Sequence, residues 1–191
     1  MKKNIITSIL FLLIMTIFTG LIYPLVMTGI SQVILPHQSN GSMIVSGDTL
    51  VGSELIGQSF TSGKYFKGRP SAIGYNPMPS GATNLGPTSK TLADSINARR
   101  IAFINENGLP ENTVVPQEML TSSASGVDPN ISVEGAKLQI SRIIKARGWD
   151  ESYRMKIEDL INRLIERPQF GILGETRINL LKLNLELDGI K

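Results

Sequence analysis

The chain has 191 residues, with 19 Lys and Arg against 16 Asp and Glu, one histidine and no cysteine. No disulfide or thiolate metal site is possible, a zinc site on one histidine is a poor prospect, and the lack of any basic run argues against nucleic acid. Two of the basic residues are Lys2 and Lys3, and setting them aside leaves a near-neutral 17 against 16.

From Asn4 to Gly47 there is no Asp, Glu, Lys or Arg, and Ile5 to Leu35 is mostly Ile, Leu, Phe, Met and Val. A bilayer core about 30 Å thick takes about 20 apolar residues of helix, so this run predicts one membrane crossing with tilt. A lone spanning segment can pair its backbone only as a helix. The competing reading is a cleaved secretory signal, whose apolar region would stop after about 7–15 residues at a small-residue site. Here the run continues through LIYPLVMTGI without one. Residues 1–35 are therefore expected to be a retained anchor. Lys2 and Lys3 precede it, and no basic residue follows until Lys64. The positive-inside rule then predicts a cytoplasmic N-terminus and an extracytoplasmic domain over residues 36–191.

Thr16, Gly20, Pro24 and Thr28 recur every four residues and fall along one helix face. The Pro24 ring presses on the carbonyl four residues back, which belongs to Gly20. Small residues on one face let a second helix approach, so this stripe predicts docking against other membrane helices. A solitary anchor with a tolerated kink is the alternative.

Pro36 is expected to end the membrane helix, with His37 at the interface. Met43 to Val45 and Leu50 to Ile56 read as short strands around a Ser46-Gly47-Asp48 turn. Gly57 to Ser89 is long, aperiodic and rich in Gly, Ser and Pro. Such loops are uncommon in compact domains unless they bind something. Tyr65, Phe66, Ile73, Tyr75 and Leu85 within it argue against a flexible linker.

Three helices are expected next. The first runs from about Thr91 to Asn105, stopped by Gly108. The second is capped by Ser132 and carries Val133, Ala136, Ile140, Ile143 and Ile144 to near Gly148. The third, capped by Asp150, carries Tyr153, Ile157, Leu160, Ile161, Leu164 and Ile165 on one face and closes before Pro168. In the tail, Leu181, Leu183, Leu185 and Leu187 alternate with Lys182, Asn184 and Glu186, which predicts a half-buried strand. The fold class is α+β: one transmembrane helix, then a single domain of short strands and about three helices, the last strand joining the first ones.

Catalytic motifs are missing. Gly57 to Gly63 has one residue too many for a Walker loop, and Lys64 is followed by Tyr65 rather than Ser or Thr. No aspartate is followed by the Lys-Thr-Gly that a P-type pump phosphorylates, and no GxSxG elbow occurs. Glu151, Glu158, Asp159 and Glu166 fall on the polar face of the third helix, where a solvated face is the default. The chain is not expected to catalyse a reaction by itself.

Four pieces in order, FKGRPSA (Phe66 to Ala72), SGATNLGPTS (Ser80 to Ser89), LTSSASGVDPNIS (Leu120 to Ser132) and GILGETRINLLKLNLELD (Gly171 to Asp188), together with the charge-free anchor, resemble the KdpC family of the Kdp potassium-transporting ATPase. The departures are Ala82-Thr83, where glycine-serine is expected, Asn130 in place of a frequent histidine and Thr176 in place of a frequent proline. The resemblance implies a non-catalytic accessory subunit of a bacterial plasma-membrane pump, required for assembly. It would raise the ATP affinity of the ATP-hydrolysing subunit as a catalytic chaperone. Implied partners are a channel-like potassium-binding subunit, the P-type ATP-hydrolysing subunit and a very small fourth subunit, with no metal bound by this chain. ATP contact would fall on Ser125, Gly126 and Gln139. The alternative to contact is that SASG makes a turn and Gln139 lies on a helix surface, with any effect on ATP passing through the membrane helices. Loops holding Phe66, Gly68, Arg69, Pro70 and Ser71, and Asn84, Leu85, Gly86 and Pro87, are expected to face the potassium-binding subunit. The rival class is a stand-alone, membrane-tethered extracytoplasmic binding protein or enzyme.

Overall fold

The computed structural model describes residues 2–190. The chain groups into two compact units, Met1–Ser53 and Glu54–Lys191.

In the first unit, α1 (Lys2–Ile17) and α2 (Tyr23–Ile34) are joined by a π-helical turn, Phe18–Ile22. Together they make one apolar helix, Lys2–Ile34, of 33 residues. The π turn has a local cause. Pro24 has no N–H, and its ring crowds the preceding turn. One step earlier, the Tyr23 N–H donates to the carbonyl of Phe18, five residues back, which widens the turn facing the proline. A short helix α3 (Pro36–Ser39) follows the break at Leu35. Strands β1 (Met43–Ser46) and β2 (Thr49–Ser53) then form the expected antiparallel hairpin, the second strand ending at Ser53 rather than Ile56.

The second unit opens with the expected aperiodic stretch, and no helix or strand forms between Glu54 and Ser89. Helix α4 (Lys90–Asn107) begins at Ser89, whose Oγ accepts from the Leu92 N–H, and ends at Gly108 in the left-handed region. Strand β3 (Asn130–Ile131) leads into α5 (Val133–Lys137), capped as expected by Ser132, whose Oγ accepts from the Gly135 N–H at 2.9 Å. The expected second helix is broken: α6 (Ile140–Arg147) is a separate element, and Gln139 lies at the break. Helix α7 (Tyr153–Arg163) follows. Asp150 sits ahead of it, and its Oδ1 accepts from the Ser152 N–H at 2.7 Å.

The tail overturns one expectation. Strand β4 (Ile178–Asn179) is only two residues long, and Leu180–Asp188 is a helix, α8. Asn179 caps it by accepting from the Lys182 N–H at 3.1 Å. The alternating leucines are half of a helical face: Leu180, Leu183, Asn184 and Leu187 are buried at spacings of three and four. Nor does the tail join the early strands, since β4 pairs antiparallel with β3.

The core of this unit joins α4, α5, α6, α7 and α8. Ile140, Ile143, Ile157, Ile161, Leu183 and Leu187 fill it, and Phe66 reaches in from the long loop. The loop's start is pinned at Gly57. Its N–H donates to the Val127 carbonyl at 2.8 Å, and a Cβ there would stand 2.4 Å from the carbonyl oxygen of Asp128. That neighbour is backbone and cannot rotate away. Gly57→Ala should therefore destabilise the domain by about 1–3 kcal/mol in urea unfolding, the usual cost of overpacking. Gly86→Ala, where a Cβ meets nothing within 4 Å, should stay within about 0.5 kcal/mol of the parent.

Candidate functional site

Backbone groups buried in an irregular loop must find partners outside the loop. At Phe66 and Lys67 two side-chain amides supply them. The Phe66 N–H donates to Asn184 Oδ1 at 2.8 Å, and Asn184 Nδ2 donates back to the Phe66 carbonyl at 2.9 Å. The Lys67 N–H donates to Gln139 Oε1 at 2.8 Å, and Gln139 Nε2 donates to the carbonyls of Lys67 and Gly135, each at 3.1 Å. Each amide thus imitates a neighbouring strand.

Arg142 stands behind this clasp. Its Nη2 donates to Gln139 Oε1 at 2.7 Å, its Nε to Asn107 Oδ1 at 2.9 Å, and its Nη1 to the carbonyls of Tyr65, at 3.0 Å, and Gly63. Burial pulls the Arg142 guanidinium below its usual pKa, and the carboxylate of Glu106, 4.0 Å away, opposes that pull. Glu106 also pairs with Lys67 Nζ.

Beyond the clasp, three loop segments are fastened together. Arg69 Nη1 donates to Asp128 Oδ2 at 2.8 Å. Ser71 Oγ donates to the Gly126 carbonyl at 2.6 Å and accepts from the N–H groups of Ile73 and Tyr75. The Ser123 N–H donates to the Pro70 carbonyl at 3.2 Å. Gly126 has φ +72°, and a Cβ there would stand 2.4 Å from the Ile73 side chain and 3.0 Å from the Gly81 carbonyl. Both the left-handed backbone and the close approach require glycine. Gly68 is confined as well, between the Leu180 side chain and the Tyr75 hydroxyl.

These contacts sort the expected site residues. Gly68, Arg69, Pro70 and Ser71 are half-buried beside Gly126 and Asp128, while Phe66 is wholly inside the core and offers no surface. Asn84, Leu85, Gly86 and Pro87 are exposed and lead into a turn in which the Ser89 N–H donates to the Gly86 carbonyl at 3.0 Å, with Asn84 at φ +53°. Ser125 is exposed, and its Oγ accepts from the Val127 N–H at 3.2 Å. Gln139 is 0 % exposed, not on a helix surface, and all its amide functions are engaged by Lys67, Gly135 and Arg142. Ser125 and Gln139 thus share no surface. Asn184, Arg142 and Asn107 were not anticipated. The available signal for Asn184 was a polar residue at helical spacing between Leu180 and Leu187.

Arg69 and Asp128 also line an open cleft of about 370 Å³ with Glu118, Asn130, Ser132 and Arg177. Arg69 Nε and Glu118 Oε1 are buried without a hydrogen-bond partner among the described residues. No group of three or more His, Cys, Asp or Glu able to hold a metal occurs among the described residues.

A family model described as "KdpC: K+-transporting ATPase, c chain" matches residues 5–189. The chain belongs to the KdpC family. A potassium-transporting ATPase KdpC subunit from Koribacter versatilis is 43% identical over 192 residues, covering 99% of this chain and 96% of the relative. Another of that name, from Rhodopseudomonas palustris strain TIE-1, is 43% identical over 202 residues, covering 98% of each. A third, from Mycobacterium tuberculosis, is 41% identical over 190 residues, covering 98% of this chain and 99% of the relative. KdpC membership therefore spans the apolar helix, the long loop and the α8 tail together.

One outcome follows from the clasp and one from the loop fastening at Tyr75. Gln139→Ala strands the Lys67 N–H and carbonyl and loosens Arg142, so urea unfolding should show a loss of about 2–4 kcal/mol, whereas Ser125→Ala should change stability by less than about 0.5 kcal/mol. Burial, then the charge of Asp128, raises the Tyr75 hydroxyl above its usual pKa, with Arg69 opposing. Its Oη donates to the Arg69 carbonyl. The folded state therefore keeps this proton where the unfolded chain releases it. The stability it contributes is complete below about pH 10 and is lost as pH rises through the folded-state value. Tyr75→Phe should flatten the fall in stability measured above about pH 10.

Proposed function

We propose that this chain is a non-catalytic accessory subunit of an ATP-driven potassium pump, needed for assembly, which raises the ATP affinity of the ATP-hydrolysing subunit. One observation carries the reading most directly. In a KdpC chain with an apolar helix long enough to cross a membrane, the loops around Arg69–Ser71 and Gly126–Asp128 are fastened to one another rather than arranged around reactive groups. Ser71, Gly126, Arg69 and Asp128 fix a rigid surface, and the Asn84–Pro87 segment stands clear of it. A rigid surface of this kind suits a clamp on a partner.

In this reading residues 1–35 are the anchor, with the N-terminus in the cytoplasm, and residues 36–191 are the extracytoplasmic domain. Gly68, Arg69, Pro70 and Ser71, with Asn84, Leu85, Gly86 and Pro87, face the channel-like potassium-binding subunit. Phe66 supports that surface from inside. The anchor docks on membrane helices of the complex, the P-type and small fourth subunits included, through Thr16, Gly20, Pro24 and Thr28. The π turn helps here. In an α-helix a four-residue step overshoots one turn by about 40°, and a wider turn takes up that overshoot. The stripe therefore runs straighter along the helix. An effect on ATP passes through these helices as a coupling free energy and needs no nucleotide contact by this chain. Direct contact would fall to the exposed Ser125, since its neighbour Gly126 is buried and Gln139 holds the loop from within.

Gly20→Leu should lower recovery of the assembled pump in detergent several-fold while leaving the domain folded. Full recovery would contradict the docking stripe. The orientation is read by a single cysteine at the exposed Glu151, since the chain has none of its own. A membrane-impermeant maleimide should label it in intact cells, and protection until the inner membrane is opened would place the domain in the cytoplasm.

A further inference from the structure

The segment after α7 exposes a cluster of large apolar side chains on the second unit. Glu166 and Arg177 exchange backbone hydrogen bonds at 2.9 and 3.0 Å, and Gln169 and Leu173 exchange a pair at 2.9 Å each. The result is a narrow hairpin, its base closed by an Arg177 Nε to Glu166 Oε2 ion pair at 3.1 Å. At its tip Phe170 is 91 % exposed, Ile172 81 % and Leu173 57 %. Phe170 also has φ +54°, in the left-handed region that an aromatic residue rarely enters. A strained backbone that turns three apolar side chains to water has no rationale in the packing of this unit.

We infer that this hairpin tip is a second, interfacial membrane contact that dips Phe170, Ile172 and Leu173 among the acyl chains of the bilayer surface. The inference rests on the reading of Lys2–Ile34 as a membrane anchor. Three features select lipid as the occupant. The tip is convex and small, and three side chains fall well short of the about 800 Å² per partner that a stable protein interface takes, so a second copy is a poor fit. The anchor keeps the domain at a bilayer. Residues 35–54 span at most about 65 Å when fully extended, so insertion is an intramolecular event at high effective concentration, and a weak contact suffices. The exposed Arg167 near the base of the tip suits a lipid phosphate, with the apolar residues beyond it, while Arg177 is held by Glu166.

The test uses the full chain, which has no native cysteine, reconstituted into vesicles of phosphatidylethanolamine and phosphatidylglycerol at 3:1. An environment-sensitive nitrobenzoxadiazole label is placed on Q169C, beside the intact tip, and on E151C as a control. Flotation of the chain with the vesicles checks the anchor separately. The expected result is a blue-shifted emission at residue 169, quenched several-fold more by shallow spin-labelled lipid than at residue 151. That difference should vanish in the F170S/I172S/L173S background. Equal, weak quenching at both positions in a floating chain overturns the tip contact and leaves the anchor standing. A blue shift at residue 169 without lipid quenching, appearing only when the other pump proteins are co-purified, also overturns it and assigns the tip to a protein pocket. A chain that does not float overturns both readings.

Discussion

The second unit depends on two buried carboxamides. From Glu54 to Ser89 the chain makes no helix or strand, yet part of it must lie against an apolar core to bring Phe66 inside. Unmet buried backbone groups cost about 1–3 kcal/mol each, enough for a few of them to cancel a typical domain stability. Asn184 on α8 and Gln139 at the break between α5 and α6 meet four such groups on consecutive residues. The two amides come from elements distant in sequence, so the same contact that seats the loop also ties α8 to the α5–α6 pair.

Arg142 extends the constraint. Its guanidinium reaches α4 through Asn107, the loop through the Gly63 and Tyr65 carbonyls, and the clasp through Gln139. A buried cation is costly unless its donors are satisfied, and here several backbone and side-chain oxygens satisfy them. The clasp in turn fixes where Gly68, Arg69, Pro70 and Ser71 emerge, and from there the loop is joined to Gly126 and Asp128. The proposed partner surface inherits its rigidity from this chain of contacts rather than from secondary structure. These loop segments are accordingly rich in glycine, serine and paired polar residues, which serve close approach and loop-to-loop hydrogen bonding.

Much of the fold was legible in the sequence because the relevant signals were local. The apolar helix, the β1–β2 hairpin, the Ser132 cap, the Gly108 stop and the aperiodic stretch each rest on properties of adjacent residues. The tail misleads because a leucine-rich run satisfies two periods at once. Leu181, Leu183, Leu185 and Leu187 fit a strand, but Leu180, Leu183, Asn184 and Leu187 fit a helix, and the choice turned on whether Asn184 was buried. Gln139 hid in the same way. A buried amide that answers a distant backbone is indistinguishable in sequence from a surface polar residue. The site motifs were recognisable as loops, but Phe66 as a core residue and Arg142 as a hub depend on contacts across more than 70 positions of sequence.

Native-state hydrogen exchange at the Phe66 and Lys67 amides tests the clasp most directly. If Asn184 and Gln139 hold the loop to the core, both amides exchange only when the domain unfolds globally, with protection matching the buried amides of α6 and α8. Exchange of these two amides at the rate of the exposed Asn84–Pro87 segment, while α6 and α8 remain protected, would contradict the account.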